Sequence, residues 1–476
     1  MADERYYLGP GDWNTDANWS LTPGGAGGAS FPTGANPAVF DDNSGDCTLD
    51  ANAAALSITI GTAADELYTG TLDAATFDVA LGSGGLDDTY AGSATVLMGS
   101  GTWTITGGTF SHRYISVLTA ESSTVVMKGT GTLIGASAKH LNNLTIFDSA
   151  VTTVSPATSN YVTVDGTLEI DGGLVLNDAV SALWVAGSNV VIRSGANVSG
   201  ASLLQVSGGI GAGSGITIFE AGAVITAPIL LRDFRPGAVF AAGEYAAVKV
   251  TGSSAARILS MSGNYIFNGT FETETAAGDL TISNAANPNI IFNDDVVTSE
   301  LSSGSIIWTK GTGTITIAGT AAQSIDFGDQ SIEQLIIANT NTATFTGGWT
   351  ATRFDAQTGT FDPNGQTLET VGAFTIGSSA DVVAGTDAWN GTALTVGGSF
   401  SASGSVGDLL NLRGTATWTL TVAGTAVADY VDVSHSDADA GTWVNTTNSM
   451  NSGTNPGWYF LPQIARHYHQ QCAGAC

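Results

Sequence analysis

Short segments of alternating apolar and polar residues fill the chain between about residues 56 and 422. The alternation lasts four or five positions at a time before Gly, Asn, Asp or Ser interrupts it. Clear examples are Leu56-Ser57-Ile58-Thr59-Ile60, Leu168-Glu169-Ile170 and Leu280-Thr281-Ile282. A period of two with β-branched residues is typical of strands that bury one face. Since no segment of helix length has the helical period, the sequence predicts an all-β fold.

Internal repeats indicate how these strands are arranged. The segment Lys310-Gly311-Thr312-Gly313-Thr314 repeats Lys128-Gly129-Thr130-Gly131-Thr132, and Leu420 to Ala426 parallels Ile315 to Ala321. The copies are unequally spaced, as in a solenoid with loops of variable length. We predict a right-handed parallel β-helix (β-solenoid) with three short strands and about 20 to 25 residues per turn. The alternative is a string of antiparallel β-sandwich modules, but the Asn-Gly and Asp-Gly pairs that mark hairpins are scarce.

The charge balance limits the partners of the chain. Its 476 residues include 13 Lys and Arg against 42 Asp and Glu, a formal net charge of −29. Because like charges repel, we predict no binding to nucleic acid or to an anionic membrane. No apolar run approaches the roughly 18 residues of a membrane helix. The segment from Met1 to Tyr7 lacks the basic and apolar regions of a secretory signal, so we expect cytoplasmic synthesis without Sec export.

Aromatic residues concentrate near both ends of the chain. Six of them lie between Tyr6 and Phe40, and Trp443 and Trp458 lie near the other end. A stack of strands needs covered ends, because exposed sheet edges invite aggregation. We therefore predict four regions: an aromatic and glycine-rich cap or attachment region at 1–50, the β-solenoid at 51–430, a C-terminal cap at 431–460, and a tail at 461–476.

Several segments resemble β-helical proteins of tailed bacteriophages. They are Trp13 to Ser20, Gly24 to Thr33, the two Lys-Gly-Thr-Gly-Thr units, and Asn455 to Phe460. These segments are similar to virion surface proteins of the decoration, fibre or spike type. The resemblance implies a non-enzymatic structural and interaction role on a virion surface, with other virion proteins and host surface glycans as partners. It also implies a homo-oligomer, for which we expect a trimer.

A polysaccharide-degrading enzyme on the same scaffold is one alternative, and a bacterial adhesin is another. Glycan hydrolysis needs two carboxyl groups about 5 to 9.5 Å apart. Glu272 and Glu274 lie two apart in a strand-like segment and are expected to share a face. Further pairs are Asp87 with Asp88, Asp294 with Asp295, and Asp437 with Asp439. Such pairs are also expected by chance on the surface of so acidic a chain, so we predict no catalytic residues.

Two groups of oxygen ligands are candidate calcium sites. One consists of Asp41, Asn43 and Asp46, and the other of Asp437 and Asp439. Calcium prefers such ligands around a turn, although neither group completes an EF-hand loop. The same residue types also build Asx turns that bind no metal. Calcium is therefore the one cofactor for which the sequence offers a candidate site.

The tail contains the soft ligands. The candidate ligands of a tetrahedral zinc ion are His467, His469, Cys472 and Cys476. A disulfide between the two cysteines and docking of the tail on a neighbouring copy are the alternatives.

A separate segment, Ser434 to Asp437, has the residue types of a hydrolase triad. Because neighbours in a strand point to opposite faces, we expect His435 to share a face with the preceding valines and to form no relay with the serines.

Overall fold

The computed structural model describes residues 3–136, 138–155, 162–176, 183–186, 189–207, 217–220, 223–232, 238–240, 242–252, 255–300, 303–382 and 392–461. These residues contain one short 3₁₀-helix, Asp16–Asn18, and no α-helix. They fall into two compact units. The first lies within Met1–Ser262, Glu274–Thr281 and Glu300–Ser305, and the second within Gly263–Thr273, Ile282–Ser299 and Ile306–Cys476.

The strands up to Met261 are, in chain order, Arg5–Tyr7 (β1), Gly11–Asp12 (β2), Trp19–Ser20 (β3), Pro37–Phe40 (β4), Cys47–Thr48 (β5), Ala53–Ile60 (β6), Thr71–Asp73 (β7), Val79–Asp87 (β8), Thr95–Leu97 (β9), Thr102–Ile105 (β10), Gly108–Ser111 (β11), Val117–Thr119 (β12), Thr124–Met127 (β13), Gly131–Ile134 (β14), His140–Leu141 (β15), Asn143–Ile146 (β16), Val151–Val154 (β17), Val162–Val164 (β18), Thr167–Ile170 (β19), Gly173–Leu176 (β20), Leu183–Val185 (β21), Asn189–Ile192 (β22), Asn197–Gly200 (β23), Leu204–Ser207 (β24), Thr217–Phe219 (β25), Val224–Ile225 (β26), Ile229–Arg232 (β27), Ala238–Phe240 (β28), Gly243–Tyr245 (β29), Val248–Thr251 (β30) and Arg257–Met261 (β31).

The later strands are Asn264–Phe267 (β32), Phe271–Glu274 (β33), Leu280–Ser283 (β34), Asn289–Phe292 (β35), Val296–Ser299 (β36), Ile306–Thr309 (β37), Thr314–Ile317 (β38), Gln323–Ile325 (β39), Ser331–Ile337 (β40), Thr342–Phe345 (β41), Trp349–Ala356 (β42), Gly359–Asp362 (β43), Thr367–Thr370 (β44), Phe374–Ile376 (β45), Ala380–Val382 (β46), Ala393–Val396 (β47), Phe400–Ser403 (β48), Leu410–Val422 (β49), Ala426–Asp429 (β50), Val431–Asp437 (β51), Val444–Thr447 (β52), Met450–Asn451 (β53) and Trp458–Phe460 (β54).

Each turn of the first unit adds strands to parallel ladders. β10 lies between β8 and β13, with Trp103 opposite both Val79 and Val125, so successive turns are 24 and 22 residues long. β11 joins β8 and β14 in a second ladder, and β7, β9 and β12 form part of a third. Parallel strands stacked in this way form a right-handed β-helix, which confirms the predicted fold class.

The second unit follows the same pattern. Ile290 lies opposite Tyr265 and Ile315, and Ile315 lies opposite Leu335, so these turns are 25, 25 and 20 residues long. The parallel ladders continue to β54, where Trp458 lies opposite Val444. Strands of the solenoid type therefore occupy the region 431–460, for which the sequence predicted a cap.

Alternating burial explains the period of two in the sequence. In β10, Trp103 and Ile105 are buried while the two threonines are half-buried. β19 repeats the pattern with Leu168 and Ile170 inside. Each buried side chain of this size removes apolar surface from water and favours folding by about 1.5 to 3 kcal/mol. The inward residues of the stacked strands thus form the core of each unit.

A cluster of buried aromatic rings lies at the amino end of the first unit. Trp19 packs edge-on against Tyr7 and Trp13, with centroid distances of 5.1 and 4.9 Å. Phe40 lies 5.3 Å from both Tyr7 and Tyr68. All five side chains are at most 1 % exposed. The aromatic residues of the predicted N-terminal region therefore build a core beside the first turns.

The glycines of the Lys-Gly-Thr-Gly-Thr units allow close stacking of turns. A Cβ atom on Gly129 would lie 1.8 Å from the carbonyl oxygen of Thr106, and one on Gly313 would lie 1.8 Å from that of Pro288. Real Cβ atoms do not approach backbone oxygens so closely, so a side chain would push neighbouring turns apart. The glycines of the repeated motif are therefore needed for the close stacking of neighbouring turns.

Replacement of Gly129 by alanine should lower the free energy of unfolding by about 2 to 3 kcal/mol, because the backbone of the adjoining turn must move. Gly34→Ala is the matched control, since no atom lies within 4 Å of its added Cβ. Urea unfolding of both variants measures the difference. Equal stability of the two variants would contradict the steric explanation.

In the described residues, no helix is long and apolar enough to cross a membrane.

Candidate functional site

A buried carboxylate ties two neighbouring turns of the first unit together. Asp88 follows β8 directly and is completely buried. Its Oδ1 accepts a hydrogen bond from the Ser111 hydroxyl, and its Oδ2 accepts from the backbone N–H groups of Tyr114 and Ile115 at 2.5 and 3.1 Å. A buried charge is costly unless it is well hydrogen-bonded, and these three donors satisfy it. Asp88 therefore fixes the conformation of the loop that follows β11.

This loop presents one exposed aromatic side chain, and a second follows two residues after Asp88 in the previous turn. Tyr114 is 45 % exposed and Tyr90 is 40 % exposed. The hydrogen bond from the Tyr114 N–H to Asp88 Oδ2 links the two segments. The Arg113 guanidinium lies 4.6 Å from the centre of the Tyr114 ring, within range of a cation–π contact. The loop thus presents a cation and an aromatic ring together.

A lysine from the next turn joins this group. Lys139 Nζ donates a hydrogen bond to the Arg113 carbonyl oxygen at 2.7 Å. Burial lowers the pKa of Lys139, while the charge of Asp88 acts in the opposite direction. We call Tyr90, Arg113, Tyr114 and Lys139 the aromatic–basic corner. Within the described residues, neither of its cations is paired with a carboxylate.

The corner lies in a stretch of the chain with few carboxylates. Residues 89–147 contain Arg113, Lys128 and Lys139 but only one carboxylate, Glu121, which gives 3 − 1 = +2. Asp87, Asp88 and Asp148 adjoin this stretch, and with them the balance of residues 87–148 is 3 − 4 = −1. The cations of the corner therefore lie among nearby carboxylates, in a chain that carries −29 as a whole.

A histidine lies inside the same loop. His112 is completely buried beside Phe110, with ring centroids 6.0 Å apart. Both ring nitrogens lack hydrogen-bond partners within the described residues. Burial, and then the charge of Lys139, lowers the pKa of His112 to about 4. The imidazole is therefore neutral near pH 7 and is enclosed, so it cannot exchange protons with a ligand on the surface.

The predicted carboxylate pairs have individual roles in the structure. Asp87 is exposed and accepts hydrogen bonds from Thr89, whereas its neighbour Asp88 is buried. The two carboxylates therefore lie in different environments, one at the surface and one in the interior. In the other unit, Asp295 Oδ1 accepts from the Ser324 N–H at 2.7 Å and holds an adjacent turn.

The two glutamates of β33 occupy its half-buried positions, as the alternation predicts. Glu274 forms an ion pair with Lys249, with 2.8 Å between Nζ and Oε2. Glu274 thus has a structural partner on the outer face of the solenoid.

The candidate calcium ligands take part in local turns. Asp41 Oδ1 accepts from the Asn43 N–H at 2.9 Å, and Asp46 Oδ1 accepts from the Thr71 N–H at 2.8 Å. Asp437 Oδ1 accepts from the Asp439 N–H at 3.1 Å. Among the described residues, no three His, Cys, Asp or Glu side chains form a group that could hold a metal ion. Calcium at these turns stays a prediction.

The region around His435 departs from the expected alternation. His435 is exposed and has a φ of 56°, whereas Val433, Ser434 and Ser436 are buried. The expectation that His435 shares a face with the valines is therefore wrong, because the left-handed residue reverses the alternation. Ser436 Oγ accepts a hydrogen bond from the Trp458 indole at 2.9 Å, so this serine has a packing role. The zinc candidates His467, His469, Cys472 and Cys476 lie outside the described residues.

The aromatic–basic corner was not among the sites predicted from sequence. Its residues are spread from Tyr90 to Lys139, and a contact between turns brings Lys139 to Arg113. The available signal was a group of cations in a stretch with few carboxylates. Alone, that signal does not indicate which residues share a surface.

Comparison with known proteins finds no family model that matches the chain, and no curated protein or solved structure with significant similarity to it. The resemblance to phage virion proteins therefore stays a prediction.

Proposed function

We propose that this chain is a non-enzymatic structural and interaction protein on the surface of a bacteriophage virion. As a capsid decoration, head fibre, tail fibre or spike, it would present turns of its β-helix to the host or the environment. The resemblance of its opening, repeated and closing segments to phage β-helical proteins supports the virion setting. A homotrimer and contacts with other virion proteins belong to the same proposal.

The anchoring of Asp88 is the observation that carries the interaction role. This carboxylate is enclosed and accepts three hydrogen bonds from its own chain, so it has no means of acting on a ligand. What it does is hold the loop that carries Arg113 and Tyr114 outward. A rigid loop that displays an aromatic ring and cations is suited to recognition.

Mass spectrometry of purified particles tests the virion setting. We expect peptides of this chain in gradient-purified virions, at a constant ratio to a major capsid protein. A bacterial adhesin would instead be found on the cell envelope in cultures without phage. Absence of this chain from purified particles would contradict the proposed role.

A glycan-cleaving enzyme is the second candidate, favoured by the outward position of the glutamates in β33. We expect no sugar release from host capsule by the wild type, by Glu272→Gln or by Asp294→Asn. Reducing-end analysis and chromatography of the digested capsule measure hydrolase and lyase products. Products made by the wild type and lost in either variant would identify an enzyme.

A further inference from the structure

We propose that the aromatic–basic corner binds an acidic glycan, meaning a saccharide that carries carboxylate, sulfate or phosphate groups. This inference rests on the proposed interaction role and specifies its ligand class and its binding residues. It concerns Tyr90, Arg113, Tyr114 and Lys139, all of which belong to the first unit.

The tyrosines offer surfaces for sugar rings. Both rings are about half exposed, and Tyr90 lies two residues after Asp88, which accepts a hydrogen bond from the Tyr114 N–H. Aromatic side chains combine a flat apolar surface with little conformational freedom. They are therefore suited to the apolar face of a pyranose ring, with the Tyr hydroxyls available to its polar edge.

The cations favour an acidic sugar over a neutral one. Arg113 offers a planar fork of donors that matches a carboxylate, sulfate or phosphate group. Lys139 uses one donor on the Arg113 carbonyl oxygen, which leaves two of the three ammonium donors for a ligand. Neither side chain has a carboxylate partner in the described part of the chain. An anionic group bound here would give the Arg113 guanidinium an ionic partner and would accept hydrogen bonds from the remaining ammonium donors of Lys139.

The two cations are the feature of the corner that favours an anion. With a net charge of −29, most of the surface repels anionic ligands, whereas Lys139 and Arg113 bring two cations into one loop contact. A nucleic acid is disfavoured, because two cations neutralise too few phosphates to overcome repulsion along the rest of the strand. A short acidic glycan segment needs only local contact.

Asp88 holds the loop that carries Arg113 and Tyr114 in one conformation. The hydrogen bonds to the N–H groups of Tyr114 and Ile115 fix the loop before any ligand arrives. A loop that is already ordered loses less conformational freedom on binding. The corner should therefore bind without a large change in backbone conformation.

Calorimetric titration of the purified full-length protein tests the proposal. The acidic probes are a galacturonic acid tetramer (carboxylate), a heparin tetrasaccharide (sulfate) and a teichoic acid fragment (phosphate). Maltotetraose is the neutral control, and a ten-residue oligothymidylate represents nucleic acid. We expect at least one acidic probe to bind, no binding of maltotetraose, and affinity that falls steeply with salt because exposed charges are screened.

Variants locate the site. Arg113→Ala and Tyr114→Ala should each weaken binding about 10-fold, which corresponds to the loss of one charge-assisted or stacking contact. Arg353→Ala and Trp443→Ala, which remove an exposed cation and an exposed ring elsewhere, should change affinity less than about 2-fold. Thermal unfolding of each variant confirms that it is folded.

Several results would overturn the proposal. One is that no acidic probe binds, and another is that maltotetraose binds as tightly as the acidic probes. The others are that the corner variants and the control variants lose the same affinity, or that oligothymidylate binds with the same dependence on Arg113. Because these titrations use purified protein, they give an answer even if the chain is absent from virions. Failure of the glycan proposal and failure of the virion role are therefore distinguishable.

Discussion

Replacement of Asp88 by alanine should lower the free energy of unfolding of the first unit by about 3 to 5 kcal/mol. The change removes an acceptor that binds the Ser111 hydroxyl and the N–H groups of Tyr114 and Ile115. In a completely buried position, these donors would lose their partner and a void would remain. Urea unfolding followed by circular dichroism measures the loss.

Two further variants separate anchoring from the general effect of removing charge. Asp87→Ala removes an exposed carboxylate that, within the described residues, accepts side-chain hydrogen bonds from Thr89 alone, and it should cost less than about 1 kcal/mol. Asp88→Asn keeps one acceptor oxygen for the two N–H groups, but its amide nitrogen cannot accept the hydrogen bond from Ser111. We therefore expect an intermediate loss of unfolding free energy. If Asp88→Ala and Asp87→Ala were equally stable, Asp88 would not be the anchor of the loop.

Acid should destabilise the first unit through His112. Its pKa is about 4 in the folded chain against an ordinary value of 6.5, so the unfolded chain takes up the proton first as the pH falls. The part of the unfolding free energy that depends on neutral His112 is fully present above pH 6.5. As the pH falls from 6.5 towards 4, this part is lost, and the total loss is about 3 kcal/mol. Between pH 7 and pH 5 the expected loss from this residue is about 2 kcal/mol.

His112→Leu should remove this pH dependence. The difference in unfolding free energy between pH 7 and pH 5 should be about 2 kcal/mol smaller in the variant than in the wild type. Leucine also removes two buried nitrogens that lack partners, so the variant should be at least as stable at pH 7. Phe110→Leu, which changes a buried neighbour that does not titrate, should cost the same at both pH values. An unchanged pH dependence in His112→Leu would show that His112 is not enclosed.

The fold was predictable because its physical causes are local. Alternation such as Leu168-Glu169-Ile170 fixes which side of a strand is buried, and the structure places both apolar residues inside. The glycines of Lys128-Gly129-Thr130-Gly131-Thr132 reflect close stacking against the previous turn. Both signals can be read within a few residues of sequence.

The aromatic–basic corner was not predictable, because it depends on contacts between turns. The sequence suggests Asp87 as the partner of Asp88, but the hydrogen-bond donors to Asp88 are 23 to 27 residues away. Loop lengths vary from turn to turn, so the sequence does not give the register. His435 shows a second limit, since a single left-handed residue reversed the alternation around it.

Cryo-electron microscopy of purified virions would show where this chain sits and which of its surfaces are free. We expect density with layers about 4.8 Å apart on the head or tail, into which the first unit fits with Tyr90, Arg113 and Tyr114 facing solvent. Density that accounts for the chain but buries this corner against another virion protein would contradict the role in surface recognition. Particles whose entire surface is accounted for by other chains would contradict the virion role itself.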